Sequence, residues 1–156
     1  MAKKIVIPFE KLFKLTHRLD FFDTMDESQR IDILKYLNGD LYVYKKHELI
    51  INEGSKDCDL YIILSGNVSV KKGEDEFKAI GALTSGDFFG EISFITGEKR
   101  MSSVYAQEET IVLHLSQEKF HHLDTSIQIL VKDKVILKLI ARLDKMNRRV
   151  LKLRNL

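Results

Sequence analysis

"DLYIILSGNVSVK", residues 59–71, is the stretch that decides the fold class. Apolar residues run together before Ser65 and alternate with polar residues after Asn67, which is the behaviour of buried and half-buried β-strands. The Ser-Gly-Asn between the two runs is a turn signal, and it predicts a tight hairpin at residues 65–67. This stretch therefore predicts a β-structure made of short strands.

The same pattern continues on both sides, through residues 41–115. Its apolar segments read "LYVY", "ELIIN", "FKAIGAL" and "SSVYAQEETIVLHL", and glycines and Asx turns separate them. About eight short strands at this spacing predict a sandwich or barrel rather than a parallel sheet with helical crossovers.

Helical periodicity precedes this β region. Residues 9–38 carry apolar side chains at a spacing of three to four, and Thr24 followed by Glu27 is a capping-box pattern. Gly39 is a C-terminal stop signal. We therefore assign residues 1–40 to a helical lead-in of a single domain.

Helical periodicity also follows the β region, over residues 116–156. Ser116 is predicted to cap a short helix, and Thr125 or Ser126 a long one. No Gly or Pro interrupts the long helix, so at ~1.5 Å per residue it would extend roughly 40 Å and project beyond a small barrel.

Two interpretations of the apolar residues on this long helix stay open. One set recurs in steps of three and four, as in the seam of a coiled coil, and predicts a homodimer: Ile136, Leu139, Leu143, Met146, Val150 and Leu153. The alternative is a stripe packed on the barrel. A second flank, with Leu130, Leu137 and Ile140, is expected to pack there.

Composition restricts the class of protein. The chain has 156 residues with a formal net charge of +2, so size predicts one domain and charge gives no argument for nucleic-acid binding. Cys58 is the only cysteine, which excludes a disulfide framework and fits a reducing cytoplasm. No run approaches the ~20 apolar residues of a membrane span, and no signal peptide is recognisable. We expect a cytoplasmic protein without a membrane partner.

A second stretch, "FFGEISFITGEKRMSSV" at residues 88–104, carries the candidate chemistry. If a short helix begins at Gly90–Glu91, its free N–H groups favour an anion, and Arg100 offers a planar fork suited to phosphate. Glu91 would be tolerated beside a phosphate if it accepts hydrogen bonds from a sugar hydroxyl. Ser102 or Ser103 would add a hydroxyl to the phosphate. The alternative is a surface ion pair between Glu91 and Arg100.

The flanks of this stretch decide between these interpretations. Residues 20–145 resemble the cyclic nucleotide-binding domain of catabolite activator proteins, protein kinase regulatory subunits and cyclic-nucleotide-gated channels. "ELIINEGSKDCDLYIILSGNVSV" is similar to the family's glycine turn and hairpin. "FGEISFITGEKRMSSV" is similar to its phosphate-binding cassette, with the same spacing from acid to arginine. We place the cassette at residues 86–104.

The resemblance implies a mainly β fold, an eight-stranded β-jelly-roll with an N-terminal helical subdomain and a long C-terminal helix. It implies that Glu91 binds the ribose 2′-hydroxyl and Arg100 the cyclic phosphate. It also implies main-chain contacts near Gly90, Ile92 and Ser93, and a C-terminal helix that closes over the purine. The function implied is a stand-alone cyclic-nucleotide sensor that acts on an effector protein the sequence does not name.

The chain departs from the family pattern beside the arginine. Met101 stands where the family usually has Ala, Ser or Thr, and a hydroxyl there often accompanies guanine recognition. We therefore expect cAMP to be favoured over cGMP, with Met101 bordering the pocket. On the last helix, Arg142, Lys145 and Asn147 are candidate lid contacts.

Two alternatives belong to other functional classes. The first is a nucleotide-blind relative that keeps the fold as a dimerisation or docking module. The second is a cupin-type enzyme, which needs clustered metal ligands on inner strands, whereas His47 and His114 stand alone. We predict no enzyme activity and no metal. The basic end "RRVLKLRNL" lacks a recognition helix, so we predict no nucleic-acid binding.

Overall fold

The computed structural model describes residues 2–73 and 79–156. Its strands are β1 Lys3–Ile5, β2 Leu41–Tyr44, β3 Leu49–Ile51, β4 Leu60–Ser65, β5 Asn67–Lys71, β6 Ala79–Thr84, β7 Phe88–Phe89, β8 Ser103–Ala106 and β9 Thr110–Leu115. Its helices are α1 Phe9–Thr16, α2 Glu27–Leu37, α3 Glu91–Thr96, α4 Gln117–His122 and α5 Thr125–Arg154, with a 3-10 turn at Asp20–Phe22. The predicted β fold with flanking helices and a long last helix is confirmed.

The strands form two antiparallel sheets. One has the order β1-β2-β9-β4-β7 and the other β3-β8-β5-β6. Strand β1 pairs with β2, and the sequence patterns did not predict it. Strand β6 was predicted to start at Phe77, but Phe77 and Lys78 lie outside the described residues.

The larger sheet is buried on both faces, which explains the continuous apolar run in β4. Leu60 and Ile62 pack with the helices, whereas the intervening Tyr61 and Ile63 pack toward residues of the other sheet such as Val68. Because alternate side chains of a strand point to opposite faces, a strand between two apolar layers needs no polar positions. The sheet thus supports the helices on one side and the second sheet on the other.

The predicted hairpin at residues 65–67 is wrong. The turn is tight, but β4 and β5 belong to different sheets. Gly66 therefore connects the two sheets, and β4 and β5 do not pair with each other. Gly66 has φ +94, and a Cβ there would lie 2.5 Å from Thr110 Oγ1. The Thr110 hydroxyl in turn donates to the carbonyl of Asn67 at 3.0 Å, which holds β9 against the crossing. A turn signal alone does not distinguish a hairpin from a change of sheet.

Two helix caps lie at neighbours of the predicted residues. The capping box of α2 is formed by Asp26 and Gln29, whose side chains each accept from the other's backbone N–H, instead of by Thr24 and Glu27. Asp124 caps α5 by accepting from the backbone N–H of Ser126 at 3.2 Å. Aspartate is as good an N-cap as serine or threonine, so the clusters of polar residues left the position ambiguous. Ser116 caps α4 as predicted.

The apolar side chains of helix α5 pack on the body only in its first half. Its buried residues are Ile127, Val131 and Val135, and residues 141–156 are all exposed. Leu130 packs against the core as expected, but Leu137 and Ile140 are exposed, so that part of the predicted second flank is wrong. These two side chains lie on the face of the helix that points away from the body, since Lys138 and Arg142 on the other face still contact it. In the part of the chain that the structure describes, no helix is long and apolar enough to cross a membrane.

Candidate functional site

The cassette is built on a strand, a glycine and a short helix, as the sequence predicted. Strand β7 ends at Phe89, Gly90 takes φ +82, and α3 begins at Glu91. A Cβ on Gly90 would lie 2.8 Å from both Arg100 Nη1 and the carbonyl oxygen of Asp59. Glycine is required here for two reasons, because the left-handed backbone strains other residues and because the guanidinium packs directly on the main chain.

Arg100 is buried, and its guanidinium is already engaged. It is 4% exposed. Its Nε and Nη2 donate to Asp57 Oδ2 at 3.2 and 2.6 Å, Nη2 also donates to the carbonyl of Asp59 at 2.7 Å, and Nη1 donates to the carbonyl of Gly90 at 2.9 Å. These contacts use four of the five N–H groups of the side chain within the described chain. One N–H on Nη1 is left for a ligand.

Asp57 is the charged partner of Arg100. Burial raises the pKa of Asp57, but hydrogen bonds from Arg100 and Ser55 outweigh it, and the pKa lies below its usual value. The carboxylate side chain is 40% exposed, whereas that of Arg100 is 2% exposed. The buried arginine is therefore neutralised by a carboxylate that borders solvent, and this carboxylate is positioned to compete with an incoming anion.

Aromatic rings form the wall behind Arg100. The guanidinium lies 5.8 Å from the ring centre of Tyr61, which stacks on Phe89 at 5.2 Å and on His114 at 4.7 Å. His114 Nε2 is 2.7 Å from Asp59 Oδ2. Burial raises the pKa of Tyr61 far above its usual value, so the phenol stays neutral. The stack packs β4 against its neighbours directly after Asp59, whose carbonyl accepts from Arg100.

Glu91 is buried and pairs with the C-terminal helix. It is 5% exposed, and Arg142 Nη1 from α5 donates to its Oε1 at 3.1 Å. The surface ion pair between Glu91 and Arg100 is therefore wrong, because both are buried and each has a different partner. A buried carboxylate needs such a partner to offset its lost hydration. The site acid and the last helix are thus joined by one contact.

Lys138, one turn before Arg142, is a second cation on this face of α5. Its ammonium lies 4.1 Å from the ring centre of Phe88. Burial lowers the pKa of Lys138, although the nearby carboxylates of Glu91 and Asp87 partly counteract the effect. The inner face of α5 therefore brings two positive groups to the cassette.

The remaining predicted cassette residues are spread between core and surface. Ser93 is buried, Ile92 and Ser102 are half-buried, and Met101 is 52% exposed. The hydroxyl of Ser103 accepts from the backbone N–H of Glu53 at 2.9 Å. Of the candidate lid residues, Lys145 and Asn147 are exposed on the free part of α5. Of the three candidate lid residues, only Arg142 has a described contact with the cassette.

Residues that complete the site were missed by the sequence reasoning. Asp57 and Asp59 supply both the charge and a carbonyl to Arg100, and Lys138 accompanies Arg142. The available signals were two acids in the turn before β4, and a Lys and an Arg four apart on a helix. In residues 2–73 and 79–156, no group of three or more His, Cys, Asp or Glu side chains could hold a metal ion.

Comparison with known proteins shows to which family a chain with this site belongs. The model of the cyclic nucleotide-binding domain family matches residues 42–125. The cGMP-dependent protein kinase egl-4 of Caenorhabditis elegans is 30% identical over 127 residues, which are 79% of this chain and 16% of that kinase. A cAMP-dependent protein kinase regulatory subunit of Candida albicans is 35% identical over 81 residues, 52% of this chain and 17% of the subunit.

A solved structure supports the fold over nearly the whole chain. It is a cyclic nucleotide-binding domain from Methylobacillus flagellatus, with a TM-score of 0.76 and 23% identity, covering 92% of this chain and 82% of that one. This chain spans less than a fifth of the two kinase-related proteins, so it corresponds to one domain of each. The chain belongs to the cyclic nucleotide-binding domain family.

Proposed function

We propose that this domain binds a cyclic nucleotide, with cAMP favoured over cGMP, and acts as a sensor for an effector protein. The observation that carries the proposal is the pair of buried opposite charges within the cassette, Glu91 and Arg100. Charged groups are seldom buried unless they are paired or functional. Both residues fall inside the region that matches the family.

The proposed roles follow from the chemistry of each group. The free N–H on Nη1 of Arg100 donates to the cyclic phosphate. Backbone N–H groups near Gly90, Ile92 and Ser93 also donate to the phosphate. Glu91 accepts from the ribose 2′-hydroxyl. Ser102 and Ser103 supply polar groups near the phosphate.

The preference for cAMP rests on Met101. Its thioether offers no hydroxyl hydrogen bond to a guanine, and its side chain, next to Arg100 in sequence, is exposed. A cGMP-dependent kinase and a cAMP-dependent kinase regulatory subunit are both among the relatives, so the titration compares the two nucleotides.

Movement of α5 is proposed to follow from competition for Glu91. Arg142 donates to Glu91 Oε1 at 3.1 Å, and a ribose hydroxyl would use the same oxygen. The Arg142 side chain is 51% exposed, so it can return to water at small cost, whereas Glu91 keeps a partner in either state. Ligand binding would thus release α5 from the cassette and let it move over the base.

One observation favours the nucleotide-blind alternative. Arg100 already donates four of its five N–H groups to Asp57, Asp59 and Gly90, so its buried charge is neutralised without a phosphate. The sequence-based prediction of a homodimer through α5 is not tested by a single chain. A wild type that sediments as a monomer at high concentration would contradict it. The predictions of a cytoplasmic protein and of a domain without catalysis also stay predictions.

Calorimetric titration with cAMP, cGMP and 5′-AMP tests the proposal. We expect cAMP to bind more tightly than cGMP and 5′-AMP not to bind. Arg100→Ala should abolish binding and Glu91→Ala should weaken it, while the matched Arg148→Ala on the free part of α5 should leave it unchanged. Normal binding by folded Arg100→Ala would refute the assigned phosphate contact.

A further inference from the structure

The second half of α5 presents an apolar face that the rest of the described chain leaves uncovered. We call it the α5 stripe, and it consists of Ile136, Leu139, Leu143, Met146, Val150 and Leu153. At 100° per residue these side chains share one face of the helix. Five of them are between 52% and 69% exposed, and Leu139 is partly buried. An isolated helical segment as short as residues 141–156 is marginal in water, so a partner that covers the stripe would stabilise it.

The stripe begins in a concave site on the body. A groove of about 520 Å³ lies between α3, α4 and α5, and Ile136 and Leu139 line it together with Phe94, Ile95 and Phe120. Because two residues belong to both, the groove and the stripe form one continuous apolar surface. A groove that accepts a ridge of side chains suits a helix, whereas a bilayer surface is flat.

The charge around the stripe argues against a second copy as the partner. Residues 142–156 contain six Lys or Arg residues and a single acid, Asp144. With Ile136 at heptad position a, Arg149 falls at g and Arg154 at the following e. In a parallel pair of copies these two arginines would face one another, where stable coiled coils place opposite charges. Each copy would also bring the same positive face to the other.

We infer that the α5 stripe and its groove dock an acidic amphipathic helix of a partner protein. The partner helix carries apolar residues at a spacing of three and four for the stripe, and Glu or Asp on its flanks for Arg149 and Arg154. Phe94 and Ile95 belong to the cassette helix α3, so the docked helix contacts the cassette and α5 together. The docking surface itself stands whether or not the nucleotide proposal is correct.

The test uses two labelled peptides and the full chain. Each peptide spans about three heptads with Leu at a and d, one with Glu at e and g and the other with Lys there. Fluorescence anisotropy should show the Glu peptide binding at least tenfold more tightly than the Lys peptide, and its affinity should fall with added salt. Met146→Asp should remove binding, and Arg149→Glu with Arg154→Glu should weaken it at least tenfold. Arg148→Glu, on the opposite face, is the matched control.

Three results would overturn the inference. The first is equal binding of the Glu and Lys peptides. The second is a dimer in sedimentation that Met146→Asp dissociates, with no binding of the Glu peptide, which would assign the surface to a second copy. The third is sedimentation with phosphatidylserine vesicles while the Glu peptide stays unbound, which would assign it to a membrane. Circular dichroism of each variant establishes that the fold is retained.

Discussion

Asp57→Asn is the substitution that most directly probes how Arg100 is shared between the protein and a ligand. The carboxylate of Asp57 accepts two hydrogen bonds from the guanidinium, at 2.6 and 3.2 Å. Asparagine keeps an oxygen at this position but removes the negative charge. Asp57 should therefore both hold Arg100 and repel the phosphate that Arg100 is proposed to bind.

The magnitude follows from the distance and the exposure. A phosphate on Nη1 would be roughly 5 Å from the carboxylate, and two unit charges at that distance repel by about 1 kcal/mol in a water-like dielectric. Because Asp57 is 40% exposed, the water-like value applies, and a tenfold change in affinity needs about 1.4 kcal/mol. We expect Asp57→Asn to bind cAMP about fivefold more tightly than the wild type, from this ~1 kcal/mol.

The assay is calorimetric titration of nucleotide-free protein at low and physiological salt. Asp144→Asn removes an equivalent charge from the exposed pair with Arg148 and should leave the affinity unchanged. The gain for Asp57→Asn should shrink as salt screens the repulsion. Weaker binding by Asp57→Asn, with the fold intact, would refute the reasoning and show that the charge of Asp57 orients Arg100 for the ligand.

Three further predictions concern stability. The pKa of Asp57 is lowered in the folded state, so its ionised carboxylate adds fully to the free energy of unfolding above its ordinary pKa. This stabilisation is lost as pH falls through the folded-state pKa. The loss of stability on acidification below about pH 4, followed by circular dichroism, should therefore be less steep in Asp57→Asn than in the wild type. Gly66→Ala should lower the free energy of unfolding in urea by more than ~1 kcal/mol, because φ is +94 and the new Cβ would overlap Thr110. Gly39→Ala is the control, and it should not destabilise the fold because the space around Gly39 is open. Lys138→Met should raise the melting temperature by a few degrees, which corresponds to about 1 kcal/mol in the free energy of unfolding. Methionine keeps an apolar chain on Phe88 and removes the ammonium, whose burial lowers the pKa of Lys138. An unchanged or lower melting temperature would mean that the attraction between Glu91 and the ammonium outweighs the cost of burying it.

The sequence determined the fold class because local patterns and global topology agree in the β region. Alternation and glycine turns were enough to predict the strands from Leu41 to Leu115, and helical periodicity gave α1, α2, α4 and α5. The turn at Gly66 shows the limit of these patterns. Which sheet a strand joins depends on long-range contacts such as that with Thr110, and no local signal reports them.

The cassette was predictable to a similar extent. The sequence correctly predicted a strand, a turn at Gly90 and a helix that begins at Glu91, whereas Arg100, predicted at the head of a strand, lies in the loop before β8. The partners of these charges were not predictable, because Asp57 lies 43 positions before Arg100 and Arg142 lies 51 positions after Glu91. Spacing along the chain carries no information about such pairs.

The central claim is that the buried charges of this cassette serve a cyclic nucleotide. The most direct test is calorimetric titration of purified, nucleotide-stripped wild type with cAMP, then cGMP, with 5′-AMP as the control. The account predicts a saturable, micromolar or tighter binding curve for cAMP, a weaker one for cGMP, and no heat for 5′-AMP. No binding of either cyclic nucleotide by folded protein would contradict it, and would favour a docking module whose Arg100 is held permanently by Asp57.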